Sequence, residues 1–118
     1  MGEKYGNRII KSNAGTGTAR GAVALYPGSS HTQSRNSLTL ARLTVQAIAK
    51  ISGYSSNRSE TYKRDDNGEF ADVRDPKAPS ILLEVGFHDN TEDVAFIINK
   101  MDNIAQAIVD AVDEFFLD

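Results

Sequence analysis

The chain has 118 residues, 40% of them apolar and 25% charged, an ordinary globular balance sized for one domain. It has no cysteine, which excludes a disulfide framework, a thiolate zinc site and a cysteine nucleophile. The net charge is −3, from 13 basic and 16 acidic residues, and no Lys/Arg stripe marks a nucleic-acid partner. No apolar run approaches the roughly 18 residues of a membrane span, and residues 1–10 lack the apolar core of a signal peptide.

Residues 8–12 read as a short strand that runs into a polar glycine loop over 13–18. Residues 21–27 alternate weakly and read as a second strand, ended by Pro27 and Gly28, with a polar loop over 28–36. A helix is predicted over 37–51. Leu38, Ala41, Val45, Ile48 and Ala49 share one face at helical spacing, Ser34, Asn36 or Ser37 can cap its start, and Gly53 suits its end. Residues 54–72 are polar and read as loop, with Asp65, Asp66, Asn67 and Gly68 forming a turn rather than a calcium loop, since the ligand spacing is wrong. Residues 80–87 are almost continuously apolar, the pattern of a strand buried on both faces of a helix-covered sheet. Asn90 is a natural cap for a helix over 91–99, with Glu92 and Asp93 suited to the positive end of its dipole. A longer helix over 101–116 sets Ile104, Ile108, Ala111, Val112 and Phe115 on one face. Strands alternating with helices predict an α/β fold with a mostly parallel sheet flanked by helices.

Glu84 stands out because it interrupts the apolar strand. An ionised carboxylate there costs several kcal/mol, roughly, unless a cation or hydrogen bonds compensate it. Two readings stand: a general acid or base presented to a cleft, and a structural carboxylate paired with a nearby Lys or Arg. His31 and His88 show no ligand spacing and read as ordinary surface histidines, and Ser29 and Ser30 lie in no nucleophile elbow.

The segment from Ser80 through Glu84, Gly86 and Phe87 to Asn90 and Asp93 resembles a signature of the zinc-dependent N-acetylmuramoyl-L-alanine amidases: an apolar strand, Glu-x-Gly-Phe, two variable residues, Asn, and an Asp at a helix start. Upstream, Ile10-Lys11-Ser12-Asn13-Ala14 resembles that family's Ile-His-x-Asn-Ala segment, Gly21 to Tyr26 its next strand, Ser37 to Ala41 the start of its following helix, and the helix carrying Ile104 its terminal helix. The resemblance implies a peptidoglycan hydrolase domain, of which this chain is the C-terminal portion, acting on a cell-wall or extracellular target reached by lysis or by an export route other than the signal-peptide one. It makes Glu84 the catalytic residue and Asn13, Arg74 and Phe87 candidates for the substrate cleft, Arg74 having a salt bridge as its alternative role.

The resemblance also implies a zinc ion held by two histidines and a glutamate. Two of those ligands belong to segments with no counterpart here, and Lys11 stands at the position of the second histidine. Lysine is a poor ligand because it is protonated near neutrality unless strongly desolvated. No zinc is therefore expected in this chain alone, and no amide hydrolysis by it. In the fold the resemblance implies, Lys11 and Glu84 face one cleft. The lysine ammonium could there supply the charge of the missing metal; a solvated lysine is the other reading. A domain without its N-terminal strands leaves an open sheet edge and apolar surface, so a homo-oligomer or a partner chain is expected across that edge. The alternative function is a non-catalytic amidase-like module that binds peptidoglycan or assembles with another chain.

Overall fold

The fold is built on a four-stranded mixed sheet. In the computed structural model, the backbone of residues 8–12 and all of residues 17–61 and 77–117 are described. In chain order the elements are β1 (Arg8–Ser12), β2 (Val23–Tyr26), α1 (Ser34–Ser52), β3 (Arg58–Thr61), β4 (Leu82–Phe87), α2 (Thr91–Asn99) and α3 (Met101–Leu117). The strand order is β1-β4-β2-β3. β1 runs parallel to β4 and β2 parallel to β3, while the central pair β2–β4 is antiparallel. The C-terminal ends of β2 and β4 therefore lie at opposite ends of the sheet.

Successive residues of a strand face opposite sides of a sheet, and this assigns its two faces. Ala22, Ala24, Leu83 and Val85 join Leu40, Ala41, Val45 and Ile48 of α1 and Ile104 of α3 in one core. The other face carries Val23, Leu25 and Leu82, all at most 7% exposed, together with Glu84. Continuous apolar sequence in β4 is thus explained by burial on both faces, with Glu84 the half-buried exception.

The predicted elements need four corrections. α1 starts three residues earlier than the apolar period suggests, and none of Ser34, Asn36 or Ser37 caps it. Gln33 occupies the cap position without a side-chain capping hydrogen bond, and Ser34 instead donates its hydroxyl to the Pro27 carbonyl. The face of α1 turned to the core also includes Ser37, Leu40 and Thr44, while Leu38 and Ala49 are only half-buried. The buried hydroxyls are satisfied locally: Ser37 accepts from the Ser80 amide, and Thr44 donates to the Leu40 carbonyl one turn back. Third, β3 lies in the polar stretch read as loop. Its residues Arg-Ser-Glu-Thr carry no apolar alternation because it is a sheet edge with mostly exposed side chains, and charged edges discourage pairing with other chains. Finally, β2 and β4 are shorter than predicted, at 23–26 and 82–87. Gly53 does end α1, in the left-handed conformation (φ 70°) that glycine adopts without a side-chain penalty.

Candidate functional site

Glu84 lies in the third position of β4, between Leu83 and Val85, which point to the helix-covered core. Its own side of the sheet is therefore the opposite one. There Val23 of β2 is its cross-strand partner, and Ile10 of β1 is its register partner on the other flank. The β1–β4 register shifts immediately after Ile10, so Lys11 pairs with Gly86 and Ser12 with Phe87. Irregularities of this kind re-aim side chains near functional sites. The predicted Lys11–Glu84 contact concerns a lysine side chain that lies outside the described residues, as do Asn13 and Arg74. Among the described residues Glu84 has no ion-pair partner: the pairs formed are Arg20 with Glu92 and Asp93, and Arg58 with Glu60.

The turn after Glu84 is densely cross-linked by hydrogen bonds. Asp93, 3% exposed, turns its carboxylate back across the end of the sheet. One of its oxygens accepts from the backbone amides of Phe87 (2.9 Å) and Gly21 (2.8 Å), and the other from Arg20 Nε (3.3 Å). Gly86 makes this approach feasible, since a Cβ there would stand 3.0 Å from Asp93 Oδ2 and 3.1 Å from its Cγ. Asn90 caps α2 as its sequence position suggests. Its side-chain oxygen accepts from the Asp93 amide (3.0 Å), and its side-chain nitrogen donates to the Gly17 carbonyl (3.0 Å). Asp89 adds a second tie by accepting from the Gly17 amide (3.1 Å). Phe87, a candidate for the substrate cleft, is buried at the end of β4.

Arg20 completes the arrangement. Its guanidinium reaches both Glu92 (2.6 Å) and Asp93 and lies 4.0 Å over the ring of Tyr54, where ring quadrupole and cation attract. Sequence reasoning misses Arg20 and Tyr54, which have no local pattern in common and lie far from residue 93 along the chain. It places Asp93 at the helix start of the family signature and credits it with helix-dipole complementarity, not with the reach back to the strand. The findable signal is Asn90 and Asp93 spaced as a capping pair, with a glycine upstream at 86.

A concavity lies at the other end of the sheet. Tyr26, Gly28, His31, Arg35, Asn36 and Thr61 border an open cleft of about 820 Å³ beyond the C-terminal end of β2 and the start of α1. His31 is half-buried there, its Nδ1 accepting from the Gln33 amide. His88 is exposed and follows β4. The two histidines flank opposite ends of the sheet and do not converge.

Residues 10–114 match the N-acetylmuramoyl-L-alanine amidase family. The chain belongs to that family. Solved amidase structures share the fold of this amidase-family chain. The CwlD amidase from Clostridioides difficile, solved in complex with the GerS lipoprotein, superposes with a TM-score of 0.76 at 19% identity, over 93% of this chain and 53% of its own. AmiC2 of Nostoc punctiforme gives 0.75 at 19% identity, over 95% and 57%. The catalytic domain of the CD27L endolysin, which targets C. difficile, gives 0.69 at 22% identity, over 93% and 55%. The chain thus spans a little more than half the length of these structures. No curated protein sequence matches it.

The family is generally zinc-dependent. The described residues of this member do not fit that ion: no three His, Asp or Glu side chains among them are grouped to hold a metal, and Asp93, the buried carboxylate beyond the end of Glu84's strand, is engaged by backbone amides and Arg20. No described helix is long and apolar enough to cross a membrane.

Proposed function

We propose that this chain supplies the glutamate-bearing part of a peptidoglycan amidase domain, whose reaction is hydrolysis of the amide joining N-acetylmuramic acid to the L-alanine of the stem peptide. The observation that carries this reading is Glu84, half-buried in an otherwise apolar strand on the sheet face turned away from the helices, with no ion-pair partner among the described residues. A carboxylate held in that way can take a proton from an attacking water and return it to the leaving amine. The described residues do not supply the electrophilic assistance such a hydrolysis also needs, so no metal-dependent step is assigned to them.

The proposal also takes in association. The 118 residues span a little more than half the length of the solved amidases, and a second copy or a partner chain adds to the sheet. Ile98, Met101, Val109, Phe116 and Leu117, each more than half exposed along α2 and α3, support an association surface. The complex of the CwlD amidase with a lipoprotein is a precedent for a protein partner. The target would be cell-wall peptidoglycan outside the cytoplasm. A non-catalytic wall-binding or assembly module is the second reading, favoured by Lys11 at the position of a family histidine.

A chimera tests the two. The N-terminal half of the CwlD amidase is fused ahead of this chain, with Lys11 restored to His, and stem-peptide release from purified sacculi is measured. The enzyme reading expects release, falling at least about a hundredfold with Glu84→Gln, as for loss of a general acid–base. A folded chimera that binds sacculi without release supports the binding module. A chimera whose hydrolysis is indifferent to Glu84→Gln sinks the role given to that residue.

A further inference from the structure

We infer that Asp93 is a positioning residue for Glu84: its carboxylate closes the β2–β4 ladder two to three residues beyond the Val23–Glu84 pair and so fixes where that side chain stands. The inference rests on the acid–base reading of Glu84, and it deepens that site.

The strand register carries it. Val23 faces Glu84 in the last antiparallel pair between β2 and β4. Continuing the ladder would bring Gly21 opposite Gly86. Instead a single Asp93 oxygen takes the amide of Gly21, two residues before Val23, and the amide of Phe87, three residues after Glu84. The two strands are thus joined through one buried oxygen at the point where they separate. This fixes their relative position along the strand direction, the very coordinate that a register slip would change. Gly86 leaves the room for it, Asn90 holds the Asp93 backbone in place by accepting from its amide, and Arg20 balances the buried charge from a part-buried site of its own. On the other flank of β4, the parallel pairing with β1 changes register next to the same residues, between Ile10 opposite Glu84 and Lys11 opposite Gly86. Neither flank of β4 continues regularly past Glu84, so the carboxylate of Asp93 takes over as the constraint on that side.

The test uses the full chain with Asp93→Asn, which keeps the shape and one acceptor oxygen but loses the charge. Amide hydrogen exchange is followed residue by residue, and the side-chain carboxyl carbon of Glu84 is observed by NMR with labelled glutamate. Expected are a tenfold or greater acceleration of exchange at Val23, Glu84 and Val85 relative to amides in the middle of α1, and a displaced Glu84 carboxyl resonance. A uniform acceleration of all amides with an unmoved Glu84 resonance would overturn the inference, since that is what a merely structural carboxylate predicts. If Asp93→Asn does not fold, Asn90→Ala loosens the same aspartate without touching its carboxylate; it should produce the same local pattern at smaller amplitude, and a Glu84 region indistinguishable from wild type would again overturn it. The chimera assay separates the failures. Hydrolysis indifferent to Glu84→Gln, with the exchange pattern intact, discards the catalytic reading and leaves the mechanical coupling. The reverse result discards the positioning role alone.

Discussion

Two strand-to-helix turns of this protein answer the same geometric problem in different ways. Between β4 and α2 the chain turns over residues 88–90, and the turn is fastened by side chains: Asn90 caps the helix, Asp93 reaches back to the strand, and Asp89 and Asn90 both hold Gly17. Between β2 and α1 it turns over residues 27–33. The helix begins there without a side-chain cap, the turn relies on backbone bonds, on His31 Nδ1 accepting from the Gln33 amide and on the Ser34 hydroxyl donated to Pro27, and an open cleft is left beside it. The fastened turn follows the strand that carries Glu84. The side-chain ties are thus concentrated next to the residue for which an acid–base role is proposed, where such a role would need a reacting group held within fractions of an ångström.

The contrast is broken most severely at Asp93. Replacing it by Ala leaves the buried amides of Gly21 and Phe87 without their acceptor and removes a partner from Arg20. At roughly 1–3 kcal/mol for each stranded donor, the expected loss is about 4 kcal/mol, read as a shift of the urea midpoint at constant m-value. Gly86→Ala comes next. The added methyl meets an aspartate pinned by three hydrogen bonds, so the neighbour cannot yield, and overpacking of this kind costs about 2 kcal/mol. The same denaturation series checks it, and a loss below about 0.5 kcal/mol would show that Asp93 moves more freely than its contacts imply. Asn90→Ala removes a cap and a tie to Gly17 and should cost about 1 kcal/mol.

This turn is readable in the sequence where its chemistry is local. An Asn three residues ahead of an Asp, following Glu-x-Gly-Phe, announces a capped helix and a close approach at the glycine, and apolar spacing puts the two later helices at 91–99 and 101–116 against observed limits of 91–99 and 101–117. The α/β class and the membership of the chain in the amidase family are also legible, because apolar periods and a motif in the right order survive without any tertiary information. Contacts between distant residues are not legible. Arg20, Tyr54 and Asp93 come together only because β2 and β4 are neighbours, and nothing in the local sequence of any of the three says so. β3 is hidden for a different reason: as an exposed edge it needs no apolar alternation, and its Arg-Ser-Glu-Thr run is indistinguishable from loop until β2 lies beside it. The start of α1 is misplaced by pattern alone because the three residues ahead of the apolar period are polar and look like a cap, whereas the backbone places the cap at Gln33.

The smallest effect is expected at that same Gln33, and it sharpens the comparison because the position is formally equivalent to Asn90. Each residue stands at the cap of a helix that follows a central strand. Asn90 has extended backbone angles (φ −106°, ψ 121°), from which a short side chain can reach the amide three residues on. Gln33 has φ −99° and ψ 13°, outside that range, and its side-chain oxygen instead accepts from the exposed Asn36 amide group at 3.0 Å. A solvent-exposed hydrogen bond of this kind competes with water and adds little. Gln33→Ala should therefore change stability by less than about 0.5 kcal/mol, the ordinary range for a surface substitution, against the loss of about 1 kcal/mol expected for Asn90→Ala. Equal losses at the two positions would mean that α1 is held at its start by Gln33 after all. The difference between the fastened and the open turn would then lie only in Asp93, and not in how the two helices begin.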